Sequence, residues 1–145
     1  MMAHFERSGE ENPYQLQMEL QDSMHGLVGI IRTESELEQA LEKVRAYKQR
    51  AKRTGVEGNR QYNPGWHLAI DLRSLLTVSE AIALGALERK ESRGAHTRDD
   101  YPATNAEFGG VNVVIRQGPD GEPQVSQEPL PPMPAELQAL FEEGK

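Results

Sequence analysis

The chain has 145 residues, 16 basic and 23 acidic, a formal net charge of -7 and no cysteine. That length suits one domain or a domain with an appendage, and the charge opposes phosphate backbones and anionic lipid, so no nucleic acid or membrane-surface partner is expected. Without cysteine the chain can hold neither a disulfide nor a thiolate-ligated zinc or iron–sulfur cluster, and any such cluster belongs to a partner.

The opening "MMAHFERSGEENP" lacks an apolar signal-peptide core, and no apolar run approaches the roughly 20 residues of a membrane span, so direct membrane insertion and export are not expected. After this polar lead, residues 1–11, Asn12 is a good N-cap and Pro13 suits a first helical turn. Leu16, Leu20, Met24, Leu27 and Val28 recur at helical spacing and predict a first helix over about residues 13–25. Gly26 and Gly29 make "GLVGIIRTE" a short extended or turning connection. Thr33 and Glu36 form a capping box for a second helix with an apolar stripe of Leu37, Leu41, Val44, Tyr47 and Ala51. Lys48, Arg50, Lys52 and Arg53 crowd its last turns, where cations oppose the helix dipole.

"RTGVEGNRQYNPGW" is a loop by its glycines and its Asn-Pro step. From Trp66 to about Arg93 a broad apolar face, including Leu68, Leu72, Leu76, Ile82, Ala83 and Leu87, predicts a third and longest helix, with "ESRG" as its last turn and Gly94 as its C-cap glycine. Further on, residues 111–116 read as a strand, Pro119-Asp120-Gly121 as a turn and residues 123–126 as the returning strand. A proline-rich connector, "EPLPPMP", leads to a short terminal helix over residues 134–141. The expected fold is therefore mainly α: a spectrin-repeat-like up-down-up three-helix bundle over residues 12–95, followed by an exit loop, a small β-hairpin and a tail over residues 96–145. An isolated hairpin is marginal in water, so this one should lean on the bundle or on a partner.

Little catalytic apparatus is visible. "FGGVN" lacks the spacing and the following helix of a phosphate-cradling loop, and His4, His25, His67 and His96 form no metal-ligand pair. Thus no catalytic, cofactor-binding or metal-ligating residue is assigned. The densest chemistry is "ESRGAHTRDDYP", at residues 91–102. Glu91, Asp99 or Asp100 with His96 could be drawn as a hydrolase site, but neighbouring arginines depress carboxylate pKa values, which is wrong for a general acid. An electrostatic clasp of Glu91, Arg93, His96, Arg98 and Asp100 fits better, with Arg93 at a helix C-terminus and Arg98 paired bidentately with Asp99 or Asp100. A solvated charged loop is the plain alternative.

At "ALERKESRGAHTRDDYP" the chain resembles the C-terminal region of the flavoprotein subunit of succinate dehydrogenase and fumarate reductase, related to L-aspartate oxidase. The pattern E-S-R-G-A-H-x-R-x-D-x-P is met by Glu91, Ser92, Arg93, Gly94, Ala95, His96, Arg98, Asp100 and Pro102. "LQMELQDSM", "VGIIRTESELEQAL" and "LAIDLRSLLTVSEAIALGAL" precede it in the expected order, and the similarity runs over roughly residues 12–102. The resemblance implies a C-terminal helical domain that packs on the FAD domain of the same polypeptide, in an enzyme that interconverts succinate and fumarate and passes electrons to an iron–sulfur subunit. It implies FAD in the parent and no cofactor in this chain, whose clasp would fasten the third helix and its exit loop to neighbouring elements and to the flavin domain. It also implies a cytoplasmic location, peripheral to the inner membrane through partner subunits. The rival expectation is a free-standing acidic helical adaptor.

Overall fold

A computed structural model of the chain describes residues 2–6 and 10–143; residues 1, 7–9, 144 and 145, in the polar lead and the end of the tail, lie outside it. Helix α1 (Pro13–Leu27) starts where the Asn12 side-chain oxygen accepts the backbone N–H of Tyr14 at 2.9 Å and of Gln15 at 3.3 Å. Helix α2 (Glu34–Ala51) starts at the capping box, in which the Glu36 N–H donates to Thr33 Oγ1 and the Thr33 N–H donates to Glu36 Oε2 at 2.8 Å. Losing that cap in Thr33→Ala should cost about 1 kcal/mol. The urea midpoint reports it, and an unchanged midpoint would show that the cap adds nothing here. Helix α3 (Pro64–Glu88) is capped by Asn63, whose side-chain oxygen accepts the Trp66 N–H at 3.1 Å.

The three helices bury two apolar layers. One joins Leu16 and Leu20 of early α1 to Val44 and Tyr47 of late α2 and to Leu72 and Leu76 of early α3. The other joins Val28 after α1 to Leu37, Ala40 and Leu41 of early α2 and to Ala83 and Ala86 of late α3. Early segments meet late ones between α1 and α2 and again between α2 and α3, so the bundle runs up, down and up, as the stripes predict. Charges tie the same elements at the rim. Glu80 of α3, only 2% exposed, faces Lys48 and Arg45 of α2, and Arg50 of α2 joins Glu11 and Glu19. The cations at the end of α2 therefore reach acids beyond their own helix.

Helices α1 and α3 differ from expectation at their ends. Helix α1 runs two residues further, to Leu27, because the Val28 N–H still bonds the Met24 carbonyl at 3.0 Å. Helix α3 begins at Pro64 and stops at Glu88, so "ESRG" is not its last turn and Gly94 is not its C-cap. Instead Arg89 turns extended, and Gly94, at φ +60°, sits in a tight turn closed by reciprocal backbone hydrogen bonds between Arg93 and His96.

The chain then returns to the bundle. The connection after α1 contributes a two-residue strand β1 (Ile31–Arg32), which pairs in parallel with β2 (Thr97–Arg98). A single turn α4 (Ala106–Gly109) leads into the antiparallel hairpin β3 (Val111–Gln117) and β4 (Pro123–Pro129). The hairpin does lean on the bundle: Ile115 lies over Gly85 of α3, and Gln127 donates to Glu88 at 2.7 Å. The tail ends in α5 (Ala135–Glu143).

Candidate functional site

A helix that stops at Glu88 leaves its last carbonyls without intrahelical donors. Arg98, 0% exposed, supplies them: its Nη1 donates to Ala86 O at 2.8 Å and to Leu87 O at 3.2 Å. The His96 ring adds a contact to Arg89 O at 2.9 Å. A carbonyl only accepts, so His96 Nε2 carries the proton and Nδ1 is left to accept from Arg32 Nη1 at 3.5 Å. The helix is thus capped by side chains that return from eight to ten residues beyond its end, and a guanidinium suits the negative end of its dipole.

The other edge of Arg98 meets Asp100 in a bidentate pair, Nε to Oδ1 and Nη2 to Oδ2, both at 2.8 Å. Asp100 also accepts the backbone N–H of Glu34, in the first turn of α2, at 2.8 Å. One ion pair therefore links the end of α3, the return strand and the start of α2. Of the two acids the sequence left open, Asp100 is the partner. The Tyr101 ring closes the stack, 4.9 Å from the Arg98 guanidinium.

A second set of bonds converges on Glu91, also 0% exposed. Its carboxylate accepts from Arg89 Nη1 at 2.5 Å, Arg93 Nε at 2.9 Å, Arg93 Nη2 at 3.0 Å and the Asn105 N–H at 2.8 Å. Arg89 continues to Phe108 O and Val111 O, each at 3.1 Å, and so ties this carboxylate to the base of the hairpin. Of the five candidate residues, Arg98 and Asp100 form one cluster, Glu91 and Arg93 another, and His96 stands beside the first. Arg89, Asn105, Arg32 and Ser92, the last bonded to Arg98 N and Tyr101 O, were not foreseen. Ser92 had a visible signal, as a member of the family pattern; the others read as ordinary polar positions.

These contacts hold elements in place and engage both Glu91 and Asp100, so neither is free as a hydrolytic acid. The arginine bonds, Arg93 foremost, hold the Glu91 carboxyl down at about 2 against its burial, and Arg98 holds Asp100 at about 2. His96 is pushed below its ordinary value, first by burial and then by Arg32, Arg98 and Arg89, which outweigh its bond to the Arg89 carbonyl. It touches neither carboxylate.

All three shifts point the same way with pH. The carboxylates contribute fully above their ordinary values of 4.5 and 3.8 and lose that contribution as pH falls toward 2; neutral His96 contributes above 6.5 and begins to lose below it. The melting temperature should therefore fall steadily from about pH 7 to about pH 3. A flat profile over that range would remove these groups from the stability of the fold.

The cluster does not fit a flavin. Among the described residues no buried side-chain nitrogen or oxygen lacks a partner. Gly109 is backed by Arg93, Gly110 bonds Glu107, and α4 is too short to offer a phosphate its N-terminus. Nor do any three His, Asp or Glu side chains among the described residues converge so as to hold a metal ion. No described helix is long and apolar enough to cross a membrane.

Comparison with known proteins gives this architecture a context. The family described as "Fumarate reductase flavoprotein C-term" matches residues 17–139. The fumarate reductase flavoprotein subunit of Helicobacter pylori is 32% identical over 137 residues, covering 92% of this chain and 19% of that protein. The succinate dehydrogenase flavoprotein subunit of Coxiella burnetii is 37% identical over 92 residues, 63% of this chain and 16% of that protein. Among solved structures, Mycobacterium smegmatis Sdh1 in complex with UQ1 superposes with a TM-score of 0.88 at 47% identity, over 99% of this chain and 25% of that one. The chain thus spans about a fifth of the curated relatives it matches, and it belongs to the family of C-terminal domains of succinate dehydrogenase and fumarate reductase flavoproteins.

Proposed function

We propose that the parent protein interconverts succinate and fumarate, with FAD and substrate held in the polypeptide N-terminal to this chain and an iron–sulfur subunit as electron partner. The enzyme would lie on the cytoplasmic side, peripheral to the inner membrane through its partner subunits. The observation that carries this reading is the agreement of 99% of the chain, tail included, with a single subunit of a related enzyme. No redox step is assigned to the residues of this chain.

Their part is positional. The two charged clusters set the end of α3, the return strand and the hairpin base in one arrangement, and so shape the surface offered to the flavin domain. Glu91 and Arg98 are enclosed, so direct contact with that domain falls to Arg93, whose side chain is 45% exposed. Arg93 is then a clasp residue between domains as well as within this one.

The test uses the full-length flavoprotein. It should carry flavin and reduce a dye with succinate, and Arg93→Ala should lose flavin several-fold faster on dilution. A wild-type protein with flavin but no turnover of succinate or fumarate would overturn the reading of the parent. Equal flavin retention in Arg93→Ala would overturn the interdomain part alone.

A further inference from the structure

Late α2 and early α3, the ends that the two charged clusters do not reach, enclose a groove of about 670 Å³. One wall is α2, which sets Lys48 and Lys52 one turn apart on the same face. The other is α3, which sets Arg73 and Thr77 at the same spacing. His4 closes one end, held by its Nδ1 bond to Thr54 O at 3.1 Å. Between the walls lies an aliphatic floor that includes Ala69, Ile70 and Leu76. Such a volume is that of a small-molecule site, not of a gap between side chains.

The charge of the groove runs against that of the chain. Acidic residues outnumber basic ones by 23 to 16, yet no aspartate or glutamate is among the described residues that line it. Lys48 meets Glu80, but that carboxylate also faces Arg45, so two cations share one anion and a positive charge is left over. Lys52 and Arg73 keep theirs whole. Lys52 bonds only the neutral amide oxygen of Gln49, at 2.8 Å, and the Arg73 side chain has no hydrogen-bond or ion-pair partner among the described residues. Both are exposed, and neither charge serves the fold. Thr77 turns its hydroxyl proton to Arg73 O at 2.9 Å, so the donors left for a ligand between the walls are cationic.

We propose that this groove binds a small organic anion, with two or more carboxylate or phosphate groups on a short aliphatic body. The lysines act as point charges and the guanidinium as a fork for an oxyanion. The floor has no ring on which a nucleobase could stack, and its methyl and methylene groups match an aliphatic body instead. Arg73 lies about 140° round α3 from Val78, and Thr77 the same from Ile82. The groove and the exposed apolar side of α3 are therefore separate surfaces, and a neighbour seated on one leaves the other open. The inference does not depend on the reaction of the parent.

The test takes the full-length flavoprotein and reads the groove locally. Acetylation of Lys52 by N-hydroxysuccinimidyl acetate is followed by mass spectrometry beside that of Lys43, an exposed lysine on the opposite side of α2. The probes are propane-1,2,3-tricarboxylate and glycerol 3-phosphate, which separate carboxylate from phosphate. At ten times its half-saturating concentration at least one of them should slow Lys52 about tenfold and leave Lys43 unchanged. Arg73→Gln, an exposed substitution that leaves the core alone, should raise that concentration about tenfold. Protection by neither probe, equal slowing of Lys43, the same slowing by potassium chloride of matched ionic strength, or unchanged half-saturation in Arg73→Gln would overturn the proposal. So would a Lys52 that is already unreactive without probe while Lys43 reacts, since polypeptide would then fill the groove.

Discussion

Replacing Arg98 by alanine is expected to lower stability by about 3–5 kcal/mol, because it removes a fully buried guanidinium that makes four hydrogen bonds, two of them to a carboxylate. The loss has two parts. Asp100 would keep the Glu34 N–H but lose both guanidinium bonds, and with them the link between the return strand and α3. Ala86 O and Leu87 O would lose the donors that close α3, and no backbone N–H is placed to replace them. In a chain of this size the melting temperature should drop by roughly 10–15 °C. Arg98→Lys separates charge from geometry: a single ammonium keeps the charge but cannot serve two carboxylate oxygens and two carbonyls at once, so an intermediate loss is expected. If lysine restored full stability, charge alone would explain the site and the bidentate geometry would be incidental.

This arrangement also shows which features were legible in the sequence. The starts of α1 and α2 were, because a cap is a local device: Asn12 before Pro13, and Thr33 three residues before Glu36, act within one turn, whereas the same Asn-Pro step at Asn63, read as loop, is the cap of α3. The hairpin was too, since Asp120 and Gly121 mark its turn and Gly121 adopts φ +86° there. The end of α3 was not. Gly94 offered a local stop, but the real stop is set by Arg98 returning to Ala86 and Leu87, and no window along the chain contains that bond. The β1–β2 pairing was hidden for the same reason: two residues beside Gly29 carry no strand signal, and they pair only because the clusters bring Arg98 back beside Arg32. Glu91, Arg93, His96, Arg98 and Asp100 stood out as a group because their residue types are dense and match a family pattern. The division of labour among them depends on Arg89, Asn105 and Glu34, which looked like ordinary polar positions.

Glu91→Gln is the sharper test of that division, since it keeps the shape of the side chain and removes its charge. The glutamate receives four hydrogen bonds on two oxygens. An amide offers one oxygen, and its nitrogen would turn two donors toward guanidinium or peptide N–H groups. The expected loss is about 3 kcal/mol, most of it the cost of leaving Arg89 and Arg93 facing each other without an anion between them. Its reach should extend beyond the cluster. Arg89 is the link to Phe108 O and Val111 O, so amide exchange should quicken through residues 105–117 more than in α1 and α2. Arg93→Ala should cost less than Glu91→Gln, because that side chain is half in solvent and its pairing is screened. In the double variant the two effects should fall well short of additive, since both remove the same bonds. A Glu91→Gln protein no less stable than Arg93→Ala, with hairpin exchange unchanged, would mean that Glu91 only neutralises Arg93; the hairpin would then owe its position to Ile115 over Gly85 and Gln127 on Glu88 alone.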